Sequence, residues 1–75
     1  MNYDRRRRIK IVLRRLNEAS SILSGVIDDE QYALDNTPEN MQDGYKFQER
    51  EEYLDTLGDF SEELDSLINA WEDKI

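Results

Sequence analysis

The sequence predicts an all-α fold, an antiparallel two-helix hairpin, and three observations carry that expectation. Phe47, Leu54, Ser61, Ile68 and Ile75 recur every seven residues, with Leu57, Leu64 and Trp71 as a companion series and Tyr53, Phe60 and Leu67 as a row beside them. Ile9, Leu16 and Leu23 recur in the same way in the first half, accompanied by Val12, Ala19 and Val26 and by Leu13, Ser20, Ile27 and Leu34. Between the two patterns lies the one clear punctuation, Asp35-Asn36-Thr37-Pro38-Glu39-Asn40, with the single proline of the chain. Spacings of three, four and seven place apolar side chains on one face of a helix, and each such face must be buried against something.

The first helix is expected over about residues 4–34. Residues before it are expected to fray, and Gly25 inside it costs about 1 kcal/mol relative to alanine without breaking the pattern. The punctuation ends it. Thr37 suits a helix N-cap and Pro38 the first helical position, where its missing N–H costs nothing, so a short helical turn is expected near 38–42. Asp43-Gly44 offers a second cap, and the second helix is expected over about 43–74. Helices of about 30 residues are about 45 Å long, and a connection of fewer than ten residues makes them antiparallel neighbours. With the turn centred near residue 39, residues whose numbers add to about 78 face one another. Arg5 then lies level with Asp73 and Arg15 with Glu63. Ser20 meets Gly58 and Ser24 meets Leu54, small residues halfway along the rod.

Seventy-five residues form one domain, 1–75, with a limited core. The chain holds neither Cys nor His, so disulfides and the usual zinc sites do not supply the missing stability. Self-association does, and the width of both apolar stripes leads us to expect a dimeric four-helix bundle. No stretch reads as a signal peptide, because Lys10, Arg14 and Arg15 interrupt the apolar residues behind the arginine run. None approaches the ~20 apolar residues of a membrane span. The chain is read as soluble and cytoplasmic, with no membrane partner.

The net charge of −8 is distributed unevenly. Residues 1–15 hold seven basic residues against Asp4, whereas residues 16–75 hold seventeen acids against Lys46, Arg50 and Lys74. The basic segment, Arg5, Arg6, Arg7, Arg8, Arg14 and Arg15 with Lys10, is suited to binding nucleic acid by releasing counterions from phosphates. The expected register instead gives it Glu62, Glu63, Asp65, Glu72 and Asp73 as internal partners, and no aromatic residue beyond Tyr3 is interleaved for base stacking. Internal pairing is the preferred reading. The acidic residues Glu49, Glu52, Asp55 and Asp59 share one helical face at spacings of three and four. Such a face can occupy a basic groove in place of phosphates, although the simpler reading is a solvated face that keeps a small protein soluble. Tyr53, Phe60 and Trp71 are of the types enriched in interface cores, and a second copy of the hairpin is the favoured cover for them.

Catalysis is not expected, because no nucleophile–base pair can be drawn without His or Cys and a two-helix rod offers no ready pocket for paired carboxylates. No cofactor or metal is expected either, since Asp28-Asp29-Glu30 and Asp35 lack the order of a calcium loop.

The stretch Glu30-Gln31-Tyr32-Ala33-Leu34-Asp35-Asn36-Thr37-Pro38-Glu39-Asn40-Met41-Gln42 resembles the EEQ-x-x-x-DN-x-PE-[NS]-LQ segment of short acidic proteins from Gram-positive bacteria and their phages. In those proteins the segment joins two helices and a Glu-rich helix follows. The resemblance covers about thirteen residues strongly and the second helix loosely. It implies a helical hairpin and a bacterial or phage source. It implies no activity, and the arginine run lies outside it. The function expected is that of a non-enzymatic protein–protein interaction module whose partners are a second copy and another protein. A small phage or mobile-element protein that inhibits a host or defence factor, by acidic mimicry of nucleic acid, is the most concrete version. The alternatives are a nucleic-acid-associated accessory protein using the arginine segment and an oligomerisation or scaffold piece.

Overall fold

In a computed structural model the chain is a rod of 60 × 15 × 15 Å. Helix α1 spans Tyr3–Asp35, a single 3-10 turn spans Glu39–Met41, and helix α2 spans Tyr45–Glu72. The hairpin is the expected one, and its helix ends lie within a few residues of those read from the sequence. No helix is long and apolar enough to cross a membrane.

The local chemistry of the ends differs from expectation in detail. Asn2 is the N-cap of α1, its side-chain oxygen accepting the Arg5 backbone N–H at 2.9 Å, so the helix begins earlier than expected. At the turn, Thr37 does not cap the 3-10 segment. Its hydroxyl donates to the Ala33 carbonyl at 3.0 Å and so closes the end of α1. Pro38, at φ −58° and ψ 144°, sits at the cap position instead. Gln42 then ties the connection together by donating to the Thr37 carbonyl at 2.9 Å. Within the Asp43-Gly44 pair, Gly44 is the N-cap of α2, with no side-chain capping bond. Gly25 leaves α1 unbroken, because one residue of poor propensity is outweighed by the turns on either side.

Burial shows which rows meet. The buried and half-buried residues of α1 are Ile9, Leu13, Leu16, Ser20, Leu23, Ile27, Glu30 and Leu34; those of α2 are Phe47, Arg50, Leu54, Leu57, Gly58, Ser61, Leu64 and Ile68, with Ile75 beyond its end. Apart from Gly58 these alternate at spacings of three and four, the seam of an antiparallel coiled coil with two contact positions per heptad. Leu13, Leu34 and Ile68 are the only residues below a tenth exposed. The Val12–Ala19–Val26 series, expected in the stripe, falls just outside the seam, as does the Tyr53–Phe60–Leu67 row. Two helices alone cover only a narrow seam, whereas each stripe is three rows wide.

The register also corrects the expectation. The three polar contacts that cross between the helices, Glu30–Arg50, Ser20–Asp65 and Asn17–Glu72, join residues whose numbers add to 80, 85 and 89. Ile75 lines a cleft with Lys10, Leu13 and Arg14. The helices are thus displaced from the expected sum of 78, because Asn36, Thr37 and the 3-10 turn use up chain before α2 begins. Residues 1–8 consequently extend beyond the end of α2. Arg5 has nothing level with it. Ser20 reaches Asp65 rather than Gly58, and a side chain added at Gly58 meets no atom within 4 Å, so the helices leave room there instead of approaching closely.

Two outcomes follow for stability. Ile68→Ala removes the most buried side chain of the seam and is expected to cost about 2–4 kcal/mol in denaturant melts, whereas Ile22→Ala, at an exposed site on the back of α1, stays within about 0.5 kcal/mol of the parent. Gly25→Ala meets no steric obstacle and should stabilise the helix by about 0.5–1 kcal/mol in the same melts. A destabilised Gly25→Ala variant would show that something packs there.

Candidate functional site: two flanks and a basic tip

An antiparallel pair of helices has two flanks, one on each side of its seam, and here they differ in chemistry. One flank carries Lys10, Asn17, Ser24 and Gln31 from α1 and Glu51, Asp65 and Glu72 from α2. It is closed by polar contacts. Asn17 donates to Glu72 Oε1 at 3.1 Å and to the Leu13 carbonyl at 2.9 Å, while the Ser20 hydroxyl donates to Asp65 Oδ1 at 2.7 Å.

The other flank carries the leftover apolar rows, Val12, Ala19, Val26 and Ala33 from α1 and Tyr53, Phe60 and Leu67 from α2. The two rows lie on the same side, since Val12 and Leu67 line a wholly apolar cleft together with Ile9, Leu13, Leu16 and Trp71. Tyr53 is 67% exposed, Phe60 54% and Leu67 61%. Nothing in the hairpin covers them. Of the three aromatic residues singled out from sequence, Tyr53 and Phe60 are on this flank. Trp71 is different: it occupies a seam position near the end of α2, 40% exposed, with the Lys74 ammonium 4.8 Å from its ring centroid. Such stacking is worth about 0.5–1 kcal/mol at an exposed site.

The acidic candidates Glu49, Glu52, Asp55 and Asp59 are all exposed and none forms an ion pair or a side-chain hydrogen bond; Glu49, Glu52 and Asp59 are on the back of α2, whereas Asp55 lines a cleft with Leu34, Asp35 and Leu54. They share a face as the spacing requires. The residues that sequence reasoning missed are Glu30 and Arg50. Both occupy positions of heptad rows that are otherwise mostly apolar, and that interruption was the available signal. Arg50 Nε and Nη2 both lie 3.0 Å from Glu30 Oε1, the one ion pair between the helices. With both side chains partly solvated its net worth is small. Its placement inside the seam opposes slippage by a heptad, which would leave each charge against apolar neighbours.

The basic segment is where expectation and structure part most clearly. Arg7 and Arg8 lie 3.4 and 3.1 Å from Asp4, and Arg15 lies 3.2 Å from Glu18, all pairs within α1. Arg5, Arg6, Lys10 and Arg14 form no ion pair. No acid of α2 forms an ion pair with the segment: Glu72 shares a cleft with Lys10 and Arg14, while Arg5 to Arg8 project past the end of α2. At 100° per residue the four consecutive arginines surround the helix rather than mark one face. The tip is thus a collar of exposed cations, and next to it Met1, Arg5 and Arg8 line a shallow cleft with Ile9 and Val12. No group of three or more acidic side chains converges closely enough to hold a metal ion.

No protein-family model matches the chain, and no curated protein or solved structure matches it.

Proposed function

We propose that the protein is a protein–protein interaction module, a short rigid rod that acts by docking its apolar flank. One observation carries this reading: Tyr53, Phe60 and Leu67, in line with the Val12–Val26 row, form a continuous apolar strip left uncovered along the rod. Apolar area leaves water at a gain of about 25 cal/mol per Å², and contiguous exposed patches of this kind mark interaction sites. The acidic back of α2 contributes by steering. Charges away from the contact raise the rate of encounter with a partner that presents basic surface to them. Inhibition of a host or defence factor by a phage or mobile-element protein fits a rod that offers carboxylates on one side and an apolar strip on another. Its support is the resemblance of the turn segment together with this pairing of surfaces.

The test places a photo-crosslinking phenylalanine at Phe60, with a control at Glu62, in cells. Protein adducts at position 60 and few at position 62 are the expected result. Adducts at neither position would overturn the docking reading.

A second reading is favoured by the basic tip, which forms no ion pair with α2 and has only Asp4 to pair with. An arm of this kind binds phosphates non-specifically, with log K falling by about 0.9 per neutralised phosphate for each unit of log salt. On that reading a mixed-sequence DNA duplex binds measurably at about 0.15 M salt, and replacing Arg5, Arg6, Arg7 and Arg8 by Gln abolishes the binding while circular dichroism stays helical. Salt-insensitive or absent binding of the parent protein removes it.

A further inference from the structure

We infer that the occupant of the apolar flank is a second copy of this chain running antiparallel, with the basic tip of each copy lying against the acidic turn of the other. The inference rests on the reading of the flank as a docking surface and goes further by naming what docks there.

The exposed area is the first argument. The hairpin exposes 6183 Å², whereas a compact monomer of 8.9 kDa exposes about 4,800 Å². The excess of about 1,400 Å² is more than the ~800 Å² each partner contributes to a specific interface of standard size. Stacking two flanks face to face converts the narrow two-helix seam into a four-helix core and removes that excess from both copies.

Charge decides the direction. Two hairpins stacked flank to flank by a two-fold axis run either parallel or antiparallel. A parallel pair places two collars of arginine side by side, beyond the ends of both second helices, with one Asp4 per copy as the acid level with them. An antiparallel pair places each collar at the other copy's turn, where Asp35, Glu39 and Asp43 lie exposed and form no ion pair. The turn half of the rod, residues 28–59, carries eleven acids against Lys46 and Arg50. The collar, in which Arg7 and Arg8 share Asp4 while Arg5 and Arg6 pair with nothing in their own chain, meets further acids in a second copy. Opposite charges meet at both ends of the antiparallel pair, and like charges meet at both ends of the parallel pair, arginines at one and acids at the other.

The test uses the full chain with Tyr3, which is 82% exposed at the tip, replaced by a spin-labelled cysteine; the chain has no other cysteine. Sedimentation equilibrium at micromolar concentration is expected to give a dimer, and the label–label distance to be about 50 Å, since each label sits about 18 residues from the middle of the rod at 1.5 Å per residue. The dimer is expected to weaken as salt is raised, and Phe60→Glu to raise its dissociation constant by about tenfold or more. A monomer overturns the inference, and so does a dimer whose labels lie within about 20 Å, two helix widths, which reports parallel copies. A monomer whose position-60 crosslinker still captures a different protein overturns the second copy as occupant while leaving the docking reading in place.

Discussion

Everything in this molecule depends on a seam that is two side chains wide. Two helices in contact bury only the alternating three- and four-spaced positions that face each other, and here those positions run from Ile9 to Leu34 and from Phe47 to Ile68. Three residues of the chain, Leu13, Leu34 and Ile68, are buried as a result, and none completely. The apolar rows were written three wide. The difference between the width of the rows and the width of the seam is the exposed flank, and the surplus is where the proposed interaction lies.

The connection sets the second constraint. The Thr37 hydroxyl and the Asn36 side chain both bond back to carbonyls of the last turn of α1, and the Gln42 amide folds the 3-10 turn onto Thr37. Chain spent on these closures displaces α2 along α1, and Glu30–Arg50 holds the resulting register from within the seam. Ile75 thus comes to rest beside Lys10 and Leu13, and α1 continues past it. A few ångströms of offset at one end of a 60 Å rod therefore convert an internally neutralised basic segment into an exposed cationic tip at the other.

Charge and apolar surface are consequently sorted by position on the rod. Cations crowd the free end, acids crowd the turn and the back of α2, the polar flank is closed by Asn17–Glu72 and Ser20–Asp65, and the apolar strip has one side to itself. A solvated, featureless rod would spread these groups evenly. The sorting gives the rod chemically distinct sides and ends, so that a docking partner would meet it in one preferred orientation.

The hairpin itself was legible in the amino-acid sequence. Seven-residue recurrences on either side of Asn36-Thr37-Pro38 dictate two helices and a turn, because the spacing of apolar side chains along a helix is a local property. The clustering of Glu49, Glu52, Asp55 and Asp59 on one exposed face is local for the same reason. Which of three adjacent apolar rows enters the seam is not local. Val12 and Leu13 read alike in the sequence, and only the approach of α2 places Leu13 inside and Val12 on the flank. The identity of Trp71 as a seam residue and of Phe60 as a flank residue was decided in the same way. The fate of the arginines lay furthest from the sequence, since a displacement of a few residues, set by hydrogen bonds in the turn, determines whether Arg5 has an acid beside it or only solvent.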